Sequence, residues 1–95
     1  MVISITSSRP TDQQLSQSEA FLESFLPKMR KFPGVIAIYH YMRPDRGDDS
    51  TIVIWESEQA LARYRQSELV KEAIAFEKEH SLPATREAYP LTHSL

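Results

Sequence analysis

Cysteine is absent from the 95 residues of the sequence, and glycine occurs only twice. Without cysteine there is no disulfide framework, no thiolate metal site, no flavin attached through sulfur and no cysteine nucleophile. Two isolated glycines cannot form a glycine-rich phosphate loop, so the usual means of holding a nucleotide cofactor is excluded too. A chain without cysteine suits a reducing compartment.

The sequence also lacks a strong charge of one sign and a long apolar run. Eleven basic and thirteen acidic residues leave a net charge of −2, which argues against a nucleic-acid or membrane partner. The apolar runs are far shorter than the ~20 residues of a membrane span, and residues 1–10 have no signal-peptide pattern. With 41% hydrophobic residues, we expect one cytoplasmic domain over residues 1–95.

Hydrophobic periodicity and turn signals predict six regions of secondary structure. Thr11 and Gln14 form a capping box for a helix that ends before Pro33-Gly34 and has Pro27 inside it. A helical region from Ser57 to about His80 is expected to break near Ser67. Strands are predicted at 2–6, 35–42, 51–56 and 84–89, with 43–49 as a hairpin loop.

This order predicts an α+β fold, the ferredoxin-like βαββαβ arrangement with a four-stranded antiparallel sheet and both helices on one face. The strand at 35–42 is apolar on both faces, with Tyr39 and Tyr41 on one and Ile38 and His40 on the other. Helices cover only one face, so we expect a homodimer in which two sheets pack together. Such an interface buries on the order of 1,600 Å².

Several short motifs lie at the junctions of these predicted elements: Phe32-Pro33-Gly34, Trp55-Glu56-Ser57, Ala60-Leu61, Tyr64 and Ser67. With them, nearly the whole sequence resembles the antibiotic biosynthesis monooxygenase family of dimeric α/β barrels. The resemblance implies a homodimeric barrel. Some members of the family oxidise phenolic polyketides with molecular oxygen and no cofactor, others act on quinones or small signals, and many have no known activity.

Haem degradation, another activity of the family, is not expected. The haem-degrading branch uses an Asn on the first strand and a Trp and a His ten residues apart on the second helix. This chain has no Asn, and Tyr64 and Ile74 stand at the other two positions. Cofactor-free oxygenases of the family also use an Asn with a Trp, and only the Trp has a counterpart, Trp55.

His40 and Tyr64 are the candidate catalytic residues. A histidine that titrates near neutral pH is suited to deprotonate a phenol or an enol. The alternative is a histidine packed in the dimer interface with a partner for each nitrogen. Tyr64 is predicted to face inward on the second helix, at the position where relatives border their pocket, and its hydroxyl is a candidate to orient a substrate or a peroxide.

Trp55, Tyr39, Arg63 and His80 are candidates for substrate binding. Trp55 either stacks on an aromatic ligand or anchors the second helix, and Tyr39 either contacts the ligand or packs in the interface. Arg63 either meets an acidic ligand or lies on a solvated face, and His80 either gates a pocket or favours the helix C-terminus. No metal is expected, because Glu77, Glu79 and His80 do not share one face.

Two functions remain open. The first is a monooxygenase without cofactor that acts on a small phenolic or quinone-like compound. The second is a non-catalytic module that binds a small ligand or a partner. If Phe21, Phe25, Leu61 and Ile74 fill the space between helices and sheet, a substrate has nowhere to react.

Overall fold

The computed structural model describes residues 1–93, so Ser94 and Leu95, the end of the expected domain, lie outside the described residues. The elements in chain order are β1 (Val2–Ser8), α1 (Asp12–Arg30), β2 (Val35–Arg43), β3 (Asp48–Trp55), α2 (Glu58–Arg65), α3 (Glu68–Glu79) and β4 (Ala84–Pro90). The strands form one antiparallel sheet in the order β2-β3-β1-β4, and all three helices contribute to one core. This confirms the predicted ferredoxin-like fold.

The helix boundaries follow the capping residues. Thr11 accepts from the amide of Gln14 at 3.2 Å, and the side chain of Gln14 accepts from the amide of Thr11 at 2.9 Å. The second helical region is divided as predicted, because Ser67 accepts from the amide of Val70 and begins a new helix. Pro27 lies inside α1, which continues to Arg30.

The hairpin between β2 and β3 is shorter than predicted. Residues 44–47 form the turn, which the amide of Gly47 closes by donating to the carbonyl of Arg43 at 2.7 Å. Asp48 and Asp49 pair with Arg43 and Met42 and belong to β3. The strand prediction from residue 51 was therefore wrong at its start, because aspartate disfavours strands unless a partner satisfies its carboxylate.

Gly34 fixes the position of α2 on the sheet. It lies between α1 and β2 with φ +93°, and its carbonyl accepts from the amide of Glu56 at 2.8 Å. A Cβ at this position would clash with the Cβ of Ala60. Only glycine therefore combines this backbone conformation with so close an approach of the helix.

The two faces of the sheet have different surroundings. The core lies on the helix face, where Val53 and Trp55 are fully or almost fully buried. On the other face, which we call the open face, apolar and aromatic side chains follow one another across the strands: Ile3, Ile5, Tyr39, Tyr41, Ile52, Ile54 and Tyr89. Tyr39 is 63% exposed there, and no helix in residues 1–93 covers this face.

Candidate functional site

A cavity of about 90 Å³ lies between the helix face of the sheet and the helices. Its roof comes mostly from α1 and α3 and is apolar except for the buried Ser18, with Phe21, Leu22, Phe25, Leu26, Met29, Ala73 and Phe76. Its floor is the sheet, which contributes polar side chains from every strand: Thr6, Ser8, His40, Asp49, Thr51 and Arg86. The cavity thus has an apolar roof above a set of hydrogen-bonding groups.

His40 lies in the floor with a partner for each ring nitrogen. Its Nε2 is 2.8 Å from Oδ1 of the buried Asp49, and its Nδ1 is 2.9 Å from Oγ1 of Thr51. A carboxylate only accepts, so these contacts assign the proton to Nε2 in the neutral ring. Nδ1 is then the basic nitrogen, and it accepts from the Thr51 hydroxyl.

Arg86 and Glu77 form an ion pair at another wall of the same cavity. The Nη1 and Nη2 atoms of Arg86 donate to the two carboxylate oxygens of Glu77 at 2.9 and 2.6 Å. These hydrogen bonds raise the pKa of Arg86. The pair joins β4 to α3 and places a fixed guanidinium beside the cavity.

Tyr64 also lines the cavity, from α2. Burial raises the pKa of Tyr64 to about 12, with Arg86 lowering it and Glu77 raising it to smaller extents. The phenol is therefore protonated at neutral pH. Its hydroxyl is suited to donate a hydrogen bond to a ligand rather than to act as a base.

Trp55 and Tyr39 lie outside this cavity. Trp55 is completely buried, its Nε1 donates to Oγ of Ser4 at 2.9 Å, and its ring contacts those of Phe32 and Tyr64. These contacts make it an anchor beneath α2. Tyr39 points to the open face, on the opposite side of the sheet from His40.

Arg63 and His80 do not line the cavity either. Arg63 is exposed on α2. The ring of His80 packs on Phe76 with 4.3 Å between centroids, while its carbonyl accepts from Nε2 of Gln14 at 2.9 Å. His80 thus contacts a roof residue from outside, and of the six candidates only His40 and Tyr64 meet in the cavity.

The sequence interpretation missed Asp49, Thr51, Glu77 and Arg86 as residues of the site. One sequence pattern could have identified Asp49 and Thr51. They occupy every second position of β3 together with Val53 and Trp55, and so lie on the same face as the core residues. A second was the alternation of Ala84, Arg86 and Ala88 in β4, which places a single charged residue among small inward-facing ones. A charge at such a position needs a partner, and Glu77 supplies it.

Residues 1–75 match the family model described as antibiotic biosynthesis monooxygenase. The chain belongs to this family. The resemblance drawn from the junction motifs is therefore confirmed, and Gly34 against Ala60 gives one of those motifs a physical reason. No curated protein matches the chain.

Solved structures share the fold of this antibiotic biosynthesis monooxygenase family member. A candidate antibiotic biosynthesis monooxygenase from Deinococcus radiodurans is 16% identical with a TM-score of 0.90, over 100% of this chain and 96% of that one. Rv0793 from Mycobacterium tuberculosis is 19% identical with a TM-score of 0.74, over 99% and 98% of the two chains. At such identities the likeness shows the fold alone. None of the helices in residues 1–93 is long and apolar enough to span a membrane.

Proposed function

We propose that the protein is a cofactor-independent monooxygenase that acts on a small phenolic or quinone-like compound in the cavity. The observation that carries this proposal is the pairing of His40 with the buried Asp49 beneath an apolar roof. A base held in one tautomer and an apolar surface for an aromatic ring are the two parts that such chemistry requires.

In this proposal His40 removes the proton of the substrate hydroxyl. A phenol that replaces the Thr51 hydroxyl at Nδ1 gives its proton to that nitrogen, and Asp49 stabilises the imidazolium from the other side. The Thr51 hydroxyl is free to rotate away or to bond the phenolate. The result is an electron-rich phenolate beneath an apolar roof.

The phenolate then reduces oxygen itself. Its para carbon forms a bond to one oxygen atom, the O–O bond breaks, and the para carbon loses its hydrogen as a proton. That proton and the one on His40 leave with the second oxygen atom as water. The ring gives up four electrons, and the products are one para-quinone and one water for each phenol and each oxygen molecule.

The size of the cavity limits the substrate. About 90 Å³ is less than the roughly 150 Å³ that holds benzene in an engineered apolar cavity. Even a single ring therefore requires roof side chains such as Phe21 and Phe76 to move. The cavity is nevertheless not filled, although Phe21 and Phe25 both line it.

Oxygen consumption with phenol, 1-naphthol and anthrone, a series of one, two and three rings, tests this proposal. We expect uptake above the uncatalysed rate, one oxygen molecule per quinone formed, and a preference for the smaller rings. A folded protein that binds these compounds without accelerating uptake would instead be the non-catalytic binding module, which the small cavity also favours.

We also propose that the protein is a homodimer through the open face. Ile5 and Ile52 pair at its centre, and Tyr39 and Tyr89 leave half or more of their surface in water. A second copy is the simplest cover for an apolar sheet face of this extent.

Sedimentation equilibrium at micromolar concentration measures this assembly. The expected mass is twice the 10.9 kDa of the chain. Ile52→Asp places a charge in the open face and is expected to give the monomer mass, whereas Ala75→Asp on the exposed side of α3 keeps the dimer. A monomeric wild-type protein would contradict the proposal.

A further inference from the structure

The polar floor of the cavity follows one cross-strand row of the sheet. His40 pairs with Thr51, Thr51 pairs with Thr6, and Thr6 pairs with Arg86, so each strand contributes one member. We call these four residues the polar row. Strands lie about 4.8 Å apart, so the Cα atoms of His40 and Arg86 are about 14 Å apart, with both side chains reaching into the same cavity.

The two ends of the polar row have opposite hydrogen-bonding character. Nδ1 of neutral His40 accepts, so this end takes a donor such as a phenol hydroxyl. Arg86 only donates, and Glu77 uses one N–H from each terminal nitrogen, which leaves the Nε–H and two others. This end therefore takes an acceptor.

The charges that line the cavity decide which acceptor fits. With His40 neutral, the lining carries one positive side chain, Arg86, and two negative ones, Asp49 and Glu77. Glu77 already compensates the guanidinium, so a second carboxylate at Arg86 would face an excess of negative charge in a partly desolvated site. A neutral carbonyl accepts the same hydrogen bonds without this repulsion.

We infer that the ligand lies along the polar row with its hydroxyl at His40 and a neutral carbonyl at Arg86, which selects hydroxyaryl carbonyl compounds over phenols and aryl carboxylates. Arg86 is then a specificity-determining residue, and the hydroxyls of Thr6 and Thr51 lie beneath the ring. The inference rests on the proposed function only in taking this cavity as the ligand site.

Binding of three single-ring probes, measured by titration calorimetry under nitrogen, tests this orientation. 4-Hydroxybenzamide has both the hydroxyl and a neutral carbonyl, phenol lacks the acceptor, and 4-hydroxybenzoate has the same shape as the amide with a negative charge. We expect the amide to bind about tenfold or more tightly than either of the others, the ratio that one hydrogen bond to a charged group supports.

Substitutions in the Arg86–Glu77 ion pair test whether the carbonyl of the ligand contacts Arg86. Arg86→Gln is expected to weaken binding of the amide about tenfold and to leave the affinity for phenol unchanged. Arg63→Gln, which removes an exposed arginine away from the cavity, is expected to change neither affinity. Glu77→Gln removes one negative charge, so the benzoate is expected to gain affinity relative to the amide. This second variant keeps the test valid if Arg86→Gln does not fold.

Benzoate binding as tightly as the amide in the wild type, or an equal loss for phenol and the amide in Arg86→Gln, would overturn the inference. These outcomes do not depend on catalysis. Oxygen uptake that is independent of the carbonyl would leave the proposed function standing and reject the polar-row orientation. Selective binding of the amide, together with no uptake on phenol, 1-naphthol or anthrone, would do the opposite.

Discussion

Tyr64 shows how burial determines the role of a single side chain. It is almost fully buried, and burial raises the pKa of its phenol to about 12. A tyrosine in this state donates a hydrogen bond at neutral pH and does not compete with His40 for a proton. The division of roles that we propose, with His40 as base and Tyr64 as donor, is consistent with where each side chain lies.

Ionisation of Tyr64 links stability to high pH. Its folded-state pKa of about 12 lies above the ordinary tyrosine value of 10.0, so the folded state disfavours the phenolate. The contribution is complete below pH 10 and is lost as the pH rises from 10 to 12, by about 2 to 3 kcal/mol in total. Urea unfolding of the wild type at pH 9 and 12 measures this loss, and Tyr64→Phe is expected to remove that part of it.

Absorbance at 295 nm gives an independent check. The folded wild type is expected to show one tyrosine titrating near pH 12 that disappears in Tyr64→Phe. Tyr39→Phe, on the open face, is the matched control and leaves that step in place. An identical titration at high pH in wild type and Tyr64→Phe would contradict the buried position of the hydroxyl.

The position of Asp49 beside His40 could not be predicted from the sequence. His40 was recognisable from its type, but the role that we propose for it depends on the carboxylate of Asp49, and the composition of residues 43–49 suggested a loop there. A strand pattern with aspartate and serine at its start becomes plausible only when the partner across the ladder is known. The pairing of β2 with β3 supplies that partner, and it is a non-local feature.

At the scale of elements, capping and turn residues predicted most of the boundaries of helices and strands. The Thr11–Gln14 box and the break at Ser67 are local, since each depends on side chains within three residues, and both were predicted correctly. The start of β3, in contrast, depends on pairing with β2 and could not be predicted from neighbouring side chains. The contact between the α1–β2 connection and α2 depends on Gly34 and tests how tightly these elements pack.

Gly34→Ala and Gly47→Ala form a matched pair. Both glycines have positive φ, +93° and +72°, but an added Cβ meets Ala60 at Gly34 and no atom within 4 Å at Gly47. Gly47→Ala is expected to cost about 1 kcal/mol of unfolding free energy through the backbone alone. Gly34→Ala is expected to cost about 1 to 3 kcal/mol more, because the helix must shift.

Urea unfolding of both variants at one protomer concentration measures this difference, since association would otherwise change the apparent stability. Equal losses in the two variants would show that the close approach of Ala60 to Gly34 contributes nothing to the fold.

At the scale of the whole molecule, the sequence predicted the architecture far better than the site. Element order, sheet class and family all followed from periodicity and the junction motifs, because the core of this fold depends on pattern more than on particular side chains. The cavity could not be predicted in this way. It arises where α1 and α3 leave space above the polar row, and its size depends on how Phe21 and Phe76 pack.

Oxygen uptake by the wild type and His40→Gln, with 1-naphthol as substrate and a metal chelator present, tests the central claim most directly. Glutamine keeps a donor for Asp49 but offers no basic nitrogen, and His93→Gln is the matched control because His93 is exposed and does not line the cavity. We predict that the wild type and His93→Gln consume oxygen alike and that His40→Gln is about 100-fold slower or more. Equal rates in the wild type and a folded His40→Gln would contradict the account.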